Sequence, residues 1–156
     1  MGFSYGSNDS PEMCFNAPKN WQLQWYTDRQ TTVSGGWSGA LYGIADYGNT
    51  NEGDTVIVQI PGTSEDWYVS FNCKTGINRD TQEGGNQVLV HKRQSGLGKG
   101  ESTLMAKLDS GNTYPGTDAP LEITVNAINL SASPAFASVT IAPAPSETPS
   151  FSTNPS

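Results

Sequence analysis

His91 is the single histidine of a 156-residue chain, and that count narrows the chemistry at once. A three-histidine zinc site and a HExxH metalloprotease helix both need more imidazoles than the chain has. Serines are plentiful, but no local context reads as a strand-turn-helix nucleophile elbow aimed at His91, so no hydrolytic triad is read here. Period-2 alternation through residues 87–92 puts His91 on the face of Gln87 and Leu89, opposite Val88 and Val90, as a structural side chain. Cys14 and Cys73 lack the CxxC spacing of redox or zinc sites. Closed as one disulfide in an oxidising compartment, they would contribute roughly 4 kcal/mol by restricting the unfolded chain. Two unpaired buried thiols are the other reading, and the residues leave both open.

Oxygen donors are better supplied. Asp46, Asn49, Asn51, Glu52 and Asp54 crowd one turn, and Asn78, Asp80, Gln82 and Glu83 another. Calcium takes hard oxygen ligands on flexible loops, which makes Asp46, Asp54, Asn78 and Asp80 its candidate ligands. Neither stretch has EF-hand spacing, and acidic turns are more often simply solvated. Trp37, Tyr42, Tyr47, Trp67, Tyr68 and Tyr114 are candidates for stacking on a sugar face. Tyr68, opposite the core face, and Tyr114, in a turn, are the freer two, with core or sheet-covering roles as the default for the set. Asn129-Leu130-Ser131 is an N-glycosylation sequon; Asn8-Asp9-Ser10 is a second, weakened by Pro11.

With 15 acidic and 8 basic side chains, the formal net charge is −7. Nucleic-acid partners are not expected, because phosphates are bound by Lys and Arg that displace counterions. A polybasic membrane-surface role is disfavoured for the same reason. No run of 18 apolar residues occurs, so no membrane insertion is expected. Residues 1–16 have neither the basic start nor the apolar stretch of a signal peptide. Any targeting segment is therefore expected upstream of Met1.

The elements that must position these residues read as mainly β. Val56/Val58/Ile60, Trp67/Val69/Phe71, Val88/Val90, Leu104/Ala106/Leu108, Ile123/Val125/Ala127 and Val139/Ile141 alternate at strand spacing. Gly- and Asn-rich turns separate them, as at residues 49–54, 83–86 and 109–118. About seven short strands predict an antiparallel β-sandwich of immunoglobulin or fibronectin type over residues 37–141. Residues 142–156, with Pro at 143, 145, 149 and 155, predict a disordered linker. Residues 1–36 differ. Phe15, Ala17, Trp21 and Trp25 fall on one face at helical spacing, after Asn16 as N-cap, which predicts an amphipathic helix of about three turns to Tyr26.

The N-terminal run resembles the segment after the Met-turn of gametolysin-type zinc metallopeptidases, which are secreted metzincins of algal cell walls. The matching residues are Met1-Gly2, Cys14-Phe15-Asn16-Ala17 and Trp21-Gln22-Leu23-Gln24-Trp25-Tyr26, with Gln24 where the family usually has glycine. The stretches Phe71-Asn72, residues 74–78 and residues 83–90 also resemble the β-rich region that follows that catalytic domain. The likeness thus runs from Met1 to about Ile141. It implies that Met1 is the methionine that packs beneath the metal. The zinc ligands and general base of an extended HExxHxxGxxH helix are absent from the chain, so no catalytic residue carries over. Zinc is then expected only in the full-length parent, with the N-terminal catalytic domain as the partner missing here.

Two functions follow from that resemblance. In one, the chain is the C-terminal segment of an extracellular zinc metalloendopeptidase acting on extracellular-matrix or cell-wall glycoprotein, and is non-catalytic by itself. In the other, it is a stand-alone extracellular β-sandwich, a binding or structural module at the cell surface, with wall glycoprotein or polysaccharide as the expected partner. An exposed Trp21/Trp25 face favours the first. A fully packed helix and a polar groove lined by Tyr68 or Tyr114 favour the second.

Overall fold

The computed structural model describes residues 12–96 and 100–144. Met1, Gly2, Asn8 and all of the expected linker beyond residue 144 lie outside them.

The described residues fold as a β-sandwich. One helix, α1 (Ala17–Gln22), precedes nine strands: β1 (Gln30–Thr32), β2 (Trp37–Tyr42), β3 (Ile57–Ile60), β4 (Glu65–Asn72), β5 (Gln87–Gln94), β6 (Ser102–Leu108), β7 (Thr113–Tyr114), β8 (Leu121–Asn129) and β9 (Phe136–Pro143). They form a five-stranded sheet in the order β1-β3-β4-β5-β6 and a four-stranded sheet in the order β2-β9-β8-β7. Every pairing is antiparallel except β1 with β3, where Thr31 lies beside Val58. The strands therefore begin at residue 30, ahead of the expected sandwich boundary. They run through Pro143, two residues into the segment expected as linker.

Alternation builds the core. Val58, Ile60, Trp67, Val69, Phe71, Val88 and Val90 of one sheet face Leu121, Ile123, Val125, Ala137, Val139 and Ile141 of the other. Two of the expected alternations break. Val90 pairs with Ala106 but His91 with Leu104, so Met105 is an extra residue in β6 and Leu104 turns to the outer face, 37% exposed. Val125 pairs with Val139 but Ala127 with Ser138, so Asn126 bulges and Ala127 is exposed. A bulge inverts the phase of every residue beyond it.

The helix is shorter than its spacing predicts. Asn16 caps it as expected, its Oδ1 accepting the Lys19 N–H at 3.1 Å, with Pro18 in the first turn. The helix then closes on Leu23, and Gln24 takes a left-handed conformation with φ 56°. Left-handed residues end helices. Tyr26 is left-handed too, at φ 63°, and leads into a 3-10 turn at Thr27–Arg29.

Candidate functional site

α1 lies on the outer face of the five-stranded sheet. Ala17, fully buried, packs with Ile44, Val56, Ile57 and Tyr68, and Cys14, Trp21, Tyr26 and Tyr42 extend that cluster. Polar bonds pin the chain on either side of the helix. The Cys14 N–H donates to Asn78 Oδ1 at 2.8 Å, and Asn78 Nδ2 donates to Asn72 Oδ1 at 3.0 Å. Asn16 Nδ2 donates to Ser102 Oγ at 3.0 Å, and buried Asn20 donates to the Phe15 carbonyl at 2.7 Å. Between this segment and the sheet lies a cavity of about 170 Å³, bounded by Met13, Cys14, Phe15, Asn78, Leu89 and Leu104 among others.

Beyond the cavity the packing leaves apolar surface uncovered. Phe15, Leu23 and Trp25 are 39%, 47% and 46% exposed, and the Phe15 and Trp25 rings lie tilted by 31° with centroids 5.6 Å apart. Trp25 is held by its backbone, whose carbonyl accepts from Gln30 Nε2 at 2.8 Å. The helical spacing of Phe15, Trp21 and Trp25 foresaw an apolar face. The structure divides it, with Trp21 turned onto Tyr68 and the other two left outward.

Under α1 the outer face is polar and closed. Tyr68 pairs with His91 across β4 and β5, and Asp66 with Arg93. All four are at most 9% exposed. Asp66 accepts from Ser95 Oγ at 2.8 Å and from Gln59 Nε2 at 3.4 Å, while Arg93 donates to the Gly96 carbonyl. Burial pushes the Tyr68 hydroxyl above its ordinary pKa, against opposing hydrogen bonds from Gln59 and Arg93. Burial pulls His91 down to about 4, and its Nδ1 has no hydrogen-bond partner. Histidine 91 is thus a neutral core side chain, more buried than its strand position alone conveyed.

Tyr68 is packed rather than free, because the helix covers it. Tyr114 is half-buried, its ring 5.7 Å from that of Trp67 and its hydroxyl donating to both Asp118 carboxylate oxygens at 2.9 Å. Burial and that acceptor push its pKa up to about 12. Trp67 is in the core as its alternation requires, Trp37 packs at the core edge, and Tyr42 lies 5.9 Å from Phe136. Tyr47 donates to Asp28, lies under the Arg29 guanidinium and packs on Tyr26 with ring centroids 4.5 Å apart. Among the described residues, neither Tyr68 nor Tyr114 borders the cavity beneath the N-terminal segment.

The calcium candidates are dispersed. Asp46 is buried and accepts from Thr75 Oγ at 2.7 Å, beside a pocket of about 250 Å³ at one end of the sandwich. Asp54 closes its own turn by accepting the Asn51 N–H at 2.7 Å. Asn78 is spent on Cys14 and Asn72, and Asp80 is exposed beside Arg79. Among the described residues, no three His, Cys, Asp or Glu side chains converge as a metal site would require.

Cys14 and Cys73 are free thiols. Cys73 continues the inward face of β4 into the main core, and Cys14 packs with the outer-face cluster. The five-stranded sheet lies between them. Asn129 is exposed at the end of β8. Among the described residues, no helix is long and apolar enough to cross a membrane. Compared with family models, with curated proteins and with solved structures, the chain matches none.

Proposed function

We propose that the chain is the non-catalytic C-terminal segment of a gametolysin-like zinc metalloendopeptidase that works outside the cell on matrix or cell-wall glycoprotein. The observation that carries this reading is the Phe15–Leu23–Trp25 patch. It remains exposed after α1 has already packed on the sandwich, and it belongs to the very run that resembles the end of a metzincin catalytic domain. Exposed apolar side chains that include two neighbouring aromatic rings suit a protein interface. The left-handed backbone of Gln24 adds support, since a glycine at that position, as in the family, takes this conformation without strain.

On this reading the missing catalytic domain covers the patch, and the sandwich supports that domain or holds it near its substrate. Zinc, its ligands and the general base all reside in the absent part. The transcript's 5′ region tests the proposal. An in-frame HExxHxxGxxH shortly upstream of Met1 is expected. An in-frame stop directly upstream would leave an independent β-sandwich and end the protease reading.

A further inference from the structure

β8 and β9, the two central strands of the four-stranded sheet, form a hairpin, with Asn129 paired to Phe136 and residues 130–135 as its loop. Asn129 heads the triplet Asn-Leu-Ser, and its side chain is organised. Asn129 Oδ1 accepts the Ser131 Oγ–H at 2.9 Å, the Ser131 N–H at 3.2 Å and the Ala132 N–H at 3.1 Å. Three donors hold the carbonyl end against the loop, so Nδ2 is the unbonded end of an exposed side chain. The hydroxyl two residues on, the second requirement of the sequon, shares that exposed turn. Leu130, between them, is 52% exposed. A bulky substituent on Nδ2 is therefore compatible with the folded hairpin, and it would shield one of the most exposed large apolar side chains described.

We infer that Asn129 accepts an N-linked oligosaccharide when the chain passes through a glycosylating compartment, and that Asn8, whose triplet is followed by Pro11, does not. The donor class is an oligosaccharide carried on a lipid pyrophosphate. Asn129 Nδ2 attacks the anomeric carbon, forming the N–C bond as the C–O bond to pyrophosphate breaks. The lipid pyrophosphate leaves with the electron pair, and the amide nitrogen loses one proton to a base of the transferase.

This inference rests on the extracellular reading above for its occurrence in the native cell, but the acceptor chemistry can be tested apart from it. The whole chain would be secreted from a eukaryotic host behind a cleavable signal, then analysed by intact mass and peptide mapping before and after amidase release of N-glycans. One glycan per chain is expected, lost in N129Q and in S131A, kept in N8Q, and at equal or higher occupancy in S131T. A secreted, cooperatively melting chain with bare Asn129, or one whose glycan survives N129Q, overturns the inference. The chain isolated from its own cells provides a second arm. Bare Asn129 there, with a glycan in the secreting host, keeps the acceptor site and overturns the extracellular reading instead.

Discussion

The indole of Trp21 meets the ring of Tyr68 edge-on, with centroids 5.8 Å apart and planes at 62°. That contact joins α1 to the sheet over Tyr68, which pairs across the strands with buried His91. Edge-to-face aromatic pairs add to the stabilisation from buried area. Trp21→Ala is expected to destabilise the chain by about 2–3 kcal/mol, less than a fully buried Trp because its ring is only partly buried. Trp25→Ala, removing a far more exposed ring, is expected to cost under about 1 kcal/mol. Urea unfolding of both variants checks the contrast, and equal losses would mean that α1 does not depend on the Tyr68 contact.

His91 should make the fold sensitive to acid. Its pKa lies near 4 in the folded chain, below the ordinary 6.5, because burial disfavours the cation. Between those values the unfolded chain binds the extra proton and the folded chain does not. The stabilisation is therefore complete above pH 6.5, is lost as pH falls toward 4, and amounts to about 3 kcal/mol across that window. The groups facing the ring from β4 and β6 are Tyr68 and Leu104, neither a carboxylate that could hold a charged imidazole. Carboxylates elsewhere titrate in the same range, so the reading is a difference. His91→Leu should unfold in urea with a visibly smaller loss between pH 7 and pH 4.5 than the parent chain. Parallel pH profiles would remove His91 as the cause.

Both cysteines should behave as independent thiols. Reductant is expected to leave the melting temperature unchanged, since no bond spans the sheet between Cys14 and Cys73. A thiol reagent should label partly buried Cys14 slowly, because burial raises its pKa and lowers the thiolate fraction. Cys73, in the core, should react only on unfolding. Non-reducing peptide maps count the outcome directly, and a Cys14–Cys73 linked peptide would contradict the arrangement of the two faces.

How far the sequence could be read depended on what carried the signal. Trp67, Val69 and Phe71 point inward because strand alternation is strict where no bulge intervenes. Leu104 and Ala127 escaped that rule, since the extra residues Met105 and Asn126 have no sequence mark of their own. β1 was not foreseen, for three residues are too few to show a period. The N-cap at Asn16 was legible from residue type, whereas the helix end at Gln24 was not, since glutamine gives no hint of a left-handed backbone. At the candidate site, the apolar spacing of Phe15, Trp21 and Trp25 was visible but not its division between sheet and solvent. Tyr68 was assigned to the correct face, yet what covers that face comes from residues some fifty positions earlier, a long-range packing that alternation cannot report.

Two glycines separate steric need from turn propensity. At Gly62 a Cβ would overlap the backbone carbonyl oxygen of Glu65, where no flexible side chain can yield. At Gly48, in the 3-10 turn Ile44–Asn49, a Cβ would meet nothing within 4 Å, and the backbone is not left-handed. Gly62 lies in the turn joining β3 to β4, whose first residues also place Asp66, and the Gly62 N–H donates to Asp66 Oδ1 at 3.4 Å. Moving that turn would disturb both the Asp66 acceptor set and the register with Arg93. Gly62→Ala is therefore expected to cost at least about 2 kcal/mol, in the range of strained small-to-large changes. Gly48→Ala should be neutral or stabilise by up to about 1 kcal/mol, by narrowing the unfolded ensemble. Thermal melts of the two variants should shift in unequal measure, and a Gly62→Ala chain as stable as the parent would show that the turn can relax away from Glu65.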